Sequence, residues 1–141
     1  MSEPVKKYLR WVLGAEGAPE FDASEYDSVK TLKAAGISLF TISLERYFPQ
    51  EPTPSEAAAL VTKIRQMLVR PEELNPVLAE RVVLSGYGHE GLLDDVPETD
   101  IARVENMISF GIRRELKIDD GPELERFLDE IVEFMNSPLD D

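Results

Sequence analysis

Residues 37–48 run Ile-Ser-Leu-Phe-Thr-Ile-Ser-Leu-Glu-Arg-Tyr-Phe, and whether they form a helix or a strand decides the fold class. Ile37, Phe40, Leu44, Tyr47 and Phe48 recur at the spacing of one buried helical face, while Phe40, Ile42 and Leu44 also satisfy the two-residue alternation of a strand. A lone strand has nothing in this chain to pair with, and unpaired strands are not stable. A buried helix is therefore expected. The alternative is an α+β fold with one short strand near 37–44.

Outward from this stretch the periodicity is helical. Downstream, Pro49, Pro52 and Pro54 make a stiff turn. Thr53 with Glu56 then forms a capping box, Pro54 takes the first helical position, and Ala57, Leu60, Val61, Ile64 and Leu68 make an apolar stripe up to Arg70, before Pro71. Upstream, Gly36 is expected to stop a helix that Asp22 or Ser24 caps and that turns Tyr26, Val29 and Leu32 inward. A loop over 14–22 separates it from a first helix opened by Pro4, with Val5, Tyr8, Leu9, Val12 and Leu13 on one face and Gly14 at its end.

Further along, Asn75 and Pro76 open a segment, Val77 to Ser85, that is apolar nearly all round and so is expected in the middle of the fold. Gly86 closes it. Residues 86–96, GYGHEGLLDDV, read as a loop of the length that often carries function. A long helix from about Pro97 to Lys117 follows, with Ile101, Val104, Ile108, Ile112 and Leu116 in register. Gly111 in its middle costs roughly 1 kcal/mol relative to alanine and so points to a close helix crossing. A turn at 119–122 leads to a last helix with Leu124, Phe127, Leu128, Ile131, Val132 and Met135 on one face. The expectation is an all-α single domain over 1–141, of about six helices, ending in an antiparallel helical hairpin and a frayed tail at 137–141.

Charge is the strongest functional clue. The 141 residues carry 15 Lys and Arg against 28 Asp and Glu, a formal net charge of −13. Residues 1–70 hold nine basic and nine acidic side chains, whereas 71–141 hold six and nineteen, so the whole excess lies in the second half. Nucleic acid and anionic membrane both need a positive face, and neither is expected as a direct partner. Solubility alone would account for such a surface; the sharper reading is a docking face for a basic protein. Lys6, Lys7 and Arg10 beside Trp11 are too few for a nucleic-acid site; they read as a solvated face or as an intramolecular neighbour of the acidic half. Head-to-tail self-association through these opposite faces would give a homo-oligomer.

The absence of cysteine excludes disulfides, thiolate catalysis and cysteine-containing zinc sites, and fits a reducing compartment. No run approaches the length of a membrane span, and the apolar run after Lys6, Lys7 and Arg10 is far too short for a signal-peptide core. A cytoplasmic protein is expected.

Motifs for chemistry fail on context. Gly86, Gly88 and Gly91 match the letters GxGxxG, but a phosphate cradle needs a helix N-terminus directly after the glycines, and Asp94, Asp95 and Pro97 stand there instead. His89 is the only histidine, so a metal site would have to be one histidine with carboxylates, and Ser85 lacks the GxSxG elbow of a nucleophile. Asp94-Asp95 and Asp119-Asp120-Gly121 lack the ligand order of a calcium loop. No catalytic, metal or cofactor-binding residue is assigned.

The remaining constellation is a loop with Tyr87, His89, Glu90, Asp94 and Asp95 beside a last helix bearing Asp129, Glu130 and Glu133. Tyrosine supplies rigid contact area and carboxylates steer a basic partner, which suits protein recognition. In size, helicity and charge the chain is similar to small acidic helical inhibitors such as bacterial immunity proteins and antitoxins. The likeness implies a non-catalytic, stoichiometric masking of a basic partner surface, with those eight residues as contacts. The competing expectations are an enzyme or a small-ligand or metal-binding protein with a site around the glycine loop at His89, and a self-assembling scaffold subunit.

Overall fold

The computed structural model describes residues 3–15, 29–88 and 91–136. They form six α-helices: α1 (Glu3–Val12), α2 (Val29–Tyr47), α3 (Pro54–Met67), α4 (Pro76–Ser85), α5 (Glu98–Glu115) and α6 (Pro122–Asn136), with a 3-10 turn over Pro71–Glu73. No strand occurs among the described residues, so the all-α fold holds and the α+β alternative does not.

The stretch that decided the fold class lies inside α2, and its ambiguity has a structural cause. Two apolar cores share α2 as their common wall. Phe40 and Leu44 face a core built from Ala57, Leu60, Val61 and Ile64 of α3, Ala79, Val82 and Val83 of α4, and Val104, Ile108 and Ile112 of α5. Ala35, Leu39 and Ile42 face a second core built from Val5 and Leu9 of α1, Leu13 just beyond it, and Leu124, Phe127, Leu128, Ile131 and Val132 of α6. Phe40, Ile42 and Leu44 thus alternate between two cores on opposite sides of one helix, which imitates a strand's alternation. A helix buried on both sides has no single apolar stripe to read.

Gly36 does not end a helix. It lies within α2, outside the positive-φ glycines, so the left-handed conformation of a C-terminal stop is not adopted there. Leu39 and Ile42 continue the face begun by Ala35, and burying them outweighs the roughly 1 kcal/mol cost of one helical glycine. The expected caps Asp22 and Ser24 and the inward Tyr26 lie outside the described residues, as do the side chain of Val29 and the tail at 137–141. Ile37 also departs from expectation. It is 55% exposed, because α1 and α5, and neither α3 nor α4, line the space beside it.

The caps downstream form as expected, although α3 ends at Met67, short of the expected Arg70. Thr53 Oγ1 accepts from the Glu56 amide at 3.1 Å and Glu56 Oε1 accepts from the Thr53 amide at 2.8 Å, which closes the capping box of α3. Asn75 Oδ1 accepts from the Leu78 amide at 3.0 Å and caps α4. This helix is peripheral and not central: Val77 is 60% exposed, and only the side bearing Ala79, Val82 and Val83 is buried, against α3 and α5. Gly111 marks a close crossing, since a Cβ on it would stand 2.4 Å from Ile64 Cγ1 of α3.

α5 and α6 meet beside the turn that joins them, where Leu116 and Ile118 enter the second core, and both pack against α2. Arg113, buried on α5, ties this corner together. Its guanidinium donates to the Ile118 carbonyl at 2.9 Å, the Leu13 carbonyl at 2.9 Å and Asp120 Oδ1 at 2.5 Å, joining the end of α1 to the turn before α6. A planar fork with several donors meets three acceptors at once in a way that lysine cannot.

Candidate functional site

The acidic face of α6 is largely matched from within. Lys6 of α1 pairs with Asp129 and lies 3.9 Å from Glu125, and Arg10 donates to Glu125 at 2.6 Å. Arg46 of α2 pairs with Glu130 while its guanidinium carbon sits 5.0 Å from the centre of the Phe127 ring. The basic patch of the first helix is therefore the intramolecular neighbour of the acidic half. Glu133 is exposed, and it too is not an unpartnered carboxylate.

The segment after α4 divides the expected loop residues. Tyr87 turns inward: its hydroxyl donates to the Leu44 carbonyl at 3.2 Å and the Phe48 carbonyl at 2.9 Å, fastening the end of α4 to the end of α2. Burial, and next the carboxylate of Glu45, push its hydroxyl pKa above the usual value. Val82, Val83 and Leu84, which would have been the strand of a dinucleotide fingerprint, are helical, and Gly88 and Gly91 adopt positive φ in turns. Gly86, Gly88 and Gly91 lie in turns, as the sequence leads one to expect. His89 and Glu90 lie outside the described residues. Asp94 and Asp95 are exposed, with Arg81 Nη1 at 3.9 Å from Asp95. Just beyond, Glu98 and Asp100 occupy the first turn of α5, where carboxylates are favoured by the exposed N–H groups of the helix end.

A pocket of about 300 Å³ lies between α1, α2 and α5. Leu32, Gly36 and Ile37 line it from α2, Ile101, Ala102, Glu105 and Asn106 from α5, and Tyr8 from α1; Lys33 and Glu98, 3.2 Å apart, also line it. Burial pushes the Glu105 carboxyl up to about 7. Sequence reasoning passed over this residue although a signal existed. Glu105 stands four positions after Ile101 and three before Ile108, on the inward stripe of α5, where a carboxylate is out of place.

Among the described residues no group of three or more His, Asp or Glu side chains could hold a metal ion, and no helix is long and apolar enough to cross a membrane. Comparison of the chain with protein-family models, with curated proteins and with solved structures finds no match.

Proposed function

We propose that this protein is a non-catalytic, acidic binding module of the cytoplasm that masks a basic surface of a partner protein, one copy to one, in the manner of small acidic helical inhibitors. The observation that supports the reading is the uneven matching of charge. The carboxylates of α6 are met by Lys6, Arg10 and Arg46, whereas Asp94 and Asp95 stand exposed, with one cation 3.9 Å from Asp95. The contact surface is therefore centred on 91–100 and the start of α5, and α6 contributes less than its composition suggests. Exposed carboxylates on a turn steer a basic partner and set its orientation, and their removal acts mainly on the association rate.

The test is affinity capture on the immobilised protein at low and high salt, comparing the native chain with an Asp94→Lys/Asp95→Lys variant. Retention of one basic protein in a fixed ratio, released by salt and lost with the double reversal, supports masking. Equal retention by the variant removes this surface from the interface. If the chain recovers nothing but itself, self-assembly becomes the better reading.

A further inference from the structure

We infer that the pocket between α1, α2 and α5 binds an alkylammonium group, with Glu105 receiving the cationic head and Leu32, Ile37, Ile101 and Ala102 packing against the aliphatic chain. The pocket borders the masking surface at the start of α5, but neither Asp94 nor Asp95 lines it. Its volume of about 300 Å³ is at the small end of the range for ligand pockets, and its walls combine apolar side chains with a few polar groups, as such pockets do. Ile37, at 55% exposed, is a large apolar side chain that lines the pocket.

The charge inside sets the ligand's sign. Glu105 is a partly dried carboxylate for which the described residues supply neither an ion pair nor a side-chain hydrogen bond, and Lys33, the cation that lines the same pocket, is engaged by Glu98. With no cation beside it, burial holds the Glu105 carboxyl at about 7. An ammonium placed against it would favour the ionised form, and the attraction is stronger in a partly dry site than in water. The Tyr8 hydroxyl and Asn106 Oδ1 each lie 3.8 Å from where a Cβ on Gly36 would stand, so oxygen atoms from α1 and α5 converge where α2 has no side chain. An ammonium carries three donors and no acceptor, which suits a site of oxygens. An anion would meet Glu98 and Glu105, and a neutral hydrocarbon would leave the carboxylate without a partner. The same chemistry can arrive as a free amine or as a lysine side chain of a bound protein, since lysine is an ammonium on a four-carbon stem.

The experiment titrates the full chain with n-hexylammonium and with n-hexanol at pH 6 and pH 8, following backbone amide shifts by NMR. At pH 8 the ammonium is expected to bind at least tenfold more tightly than the alcohol, with shifts confined to residues 32–37 and 98–106. The preference is expected to shrink at pH 6, where Glu105 holds a proton. The titratable groups lining the pocket besides Glu105 are Tyr8 on α1, Lys33 on α2 and Glu98 on α5. Glu105→Gln should abolish the preference while leaving the alcohol's affinity unchanged. Equal binding of alcohol and ammonium, shifts elsewhere on the surface, or a preference that survives Glu105→Gln each overturns the assignment. Nα-acetyl-lysine methylamide against its Nε-acetylated form separates the two sources: discrimination between them assigns the site to a protein lysine, and response to the free amine alone assigns it to a small molecule. Asp94→Lys/Asp95→Lys is expected to leave hexylammonium affinity within twofold of native, so this assignment and the masking surface fail separately.

Discussion

Two glycines inside helices make opposite demands. At Gly36 an added Cβ would find its nearest neighbours at 3.8 Å, so Gly36→Ala is expected to raise stability by about 0.5–1 kcal/mol through helix propensity, read as a higher urea midpoint. At Gly111 the same methyl would meet three Ile64 side-chain atoms at 2.4–2.9 Å, and Ile64 is fully buried. Gly111→Ala is expected to cost about 1–3 kcal/mol by overpacking, and less in an Ile64→Ala background, where the crossing opens. Ser43, fully buried with an unpartnered Oγ, is a smaller case of the same kind. Ser43→Ala removes a desolvated hydroxyl that makes no hydrogen bond and is expected to stabilise by about 1 kcal/mol.

Glu105 makes stability depend on pH. Its folded carboxyl titrates near 7 and its unfolded one near 4.5, so between these values the unfolded chain has shed a proton that the folded chain keeps. Its contribution to stability is complete below about pH 4.5 and is lost as the pH rises through 7. Glu105→Gln is therefore expected to be more stable than the native chain at pH 8 by on the order of 2 kcal/mol, allowing for solvent screening, and equal to it at pH 4. Urea titrations at the two values check the sign. A variant equally stabilised at both would show that packing, and not charge, is responsible.

At the scale of elements, α6 is held by charge as well as by its apolar stripe. Asp129→Lys with Glu130→Lys would set new cations against Lys6, Arg10 and Arg46 and is expected to cost about 1–2 kcal/mol, with a penalty that falls as salt rises. A charge reversal on this helix thus perturbs the fold before it reports on a partner, whereas Asp94 and Asp95 can be reversed without breaking an interhelical clamp of this kind. The capping box of α3 and the apolar stripes of α3, α5 and α6 were legible in the sequence because they are set by neighbours three or four positions away. The pairing of Lys6 with Asp129 spans 123 residues and was visible only as a basic patch and an acidic half.

For the whole molecule, a single helix common to two cores couples them. Leu39 and Leu44 are buried on opposite sides of α2, one in each core, and truncation of either to alanine is expected to cost about 2–5 kcal/mol. Because neither core can keep its wall without α2, both variants should unfold in one transition, with the fluorescence of Trp11 on α1 and far-ultraviolet circular dichroism coinciding. Separate transitions would mean that the cores are independent. The sequence by itself favoured the helical class and determined most helix ends, the close approach at Gly111 and the rejection of the glycine motif, because these rest on backbone preferences and on periodicities within a few residues. Only the tertiary structure decided that α2 runs through Gly36, that Tyr87 faces inward, that the charges of α6 are answered by α1 and α2, and that Glu105 opens on a pocket. Those outcomes depend on which faces meet across the fold, where burial and distant charges outweigh local preference.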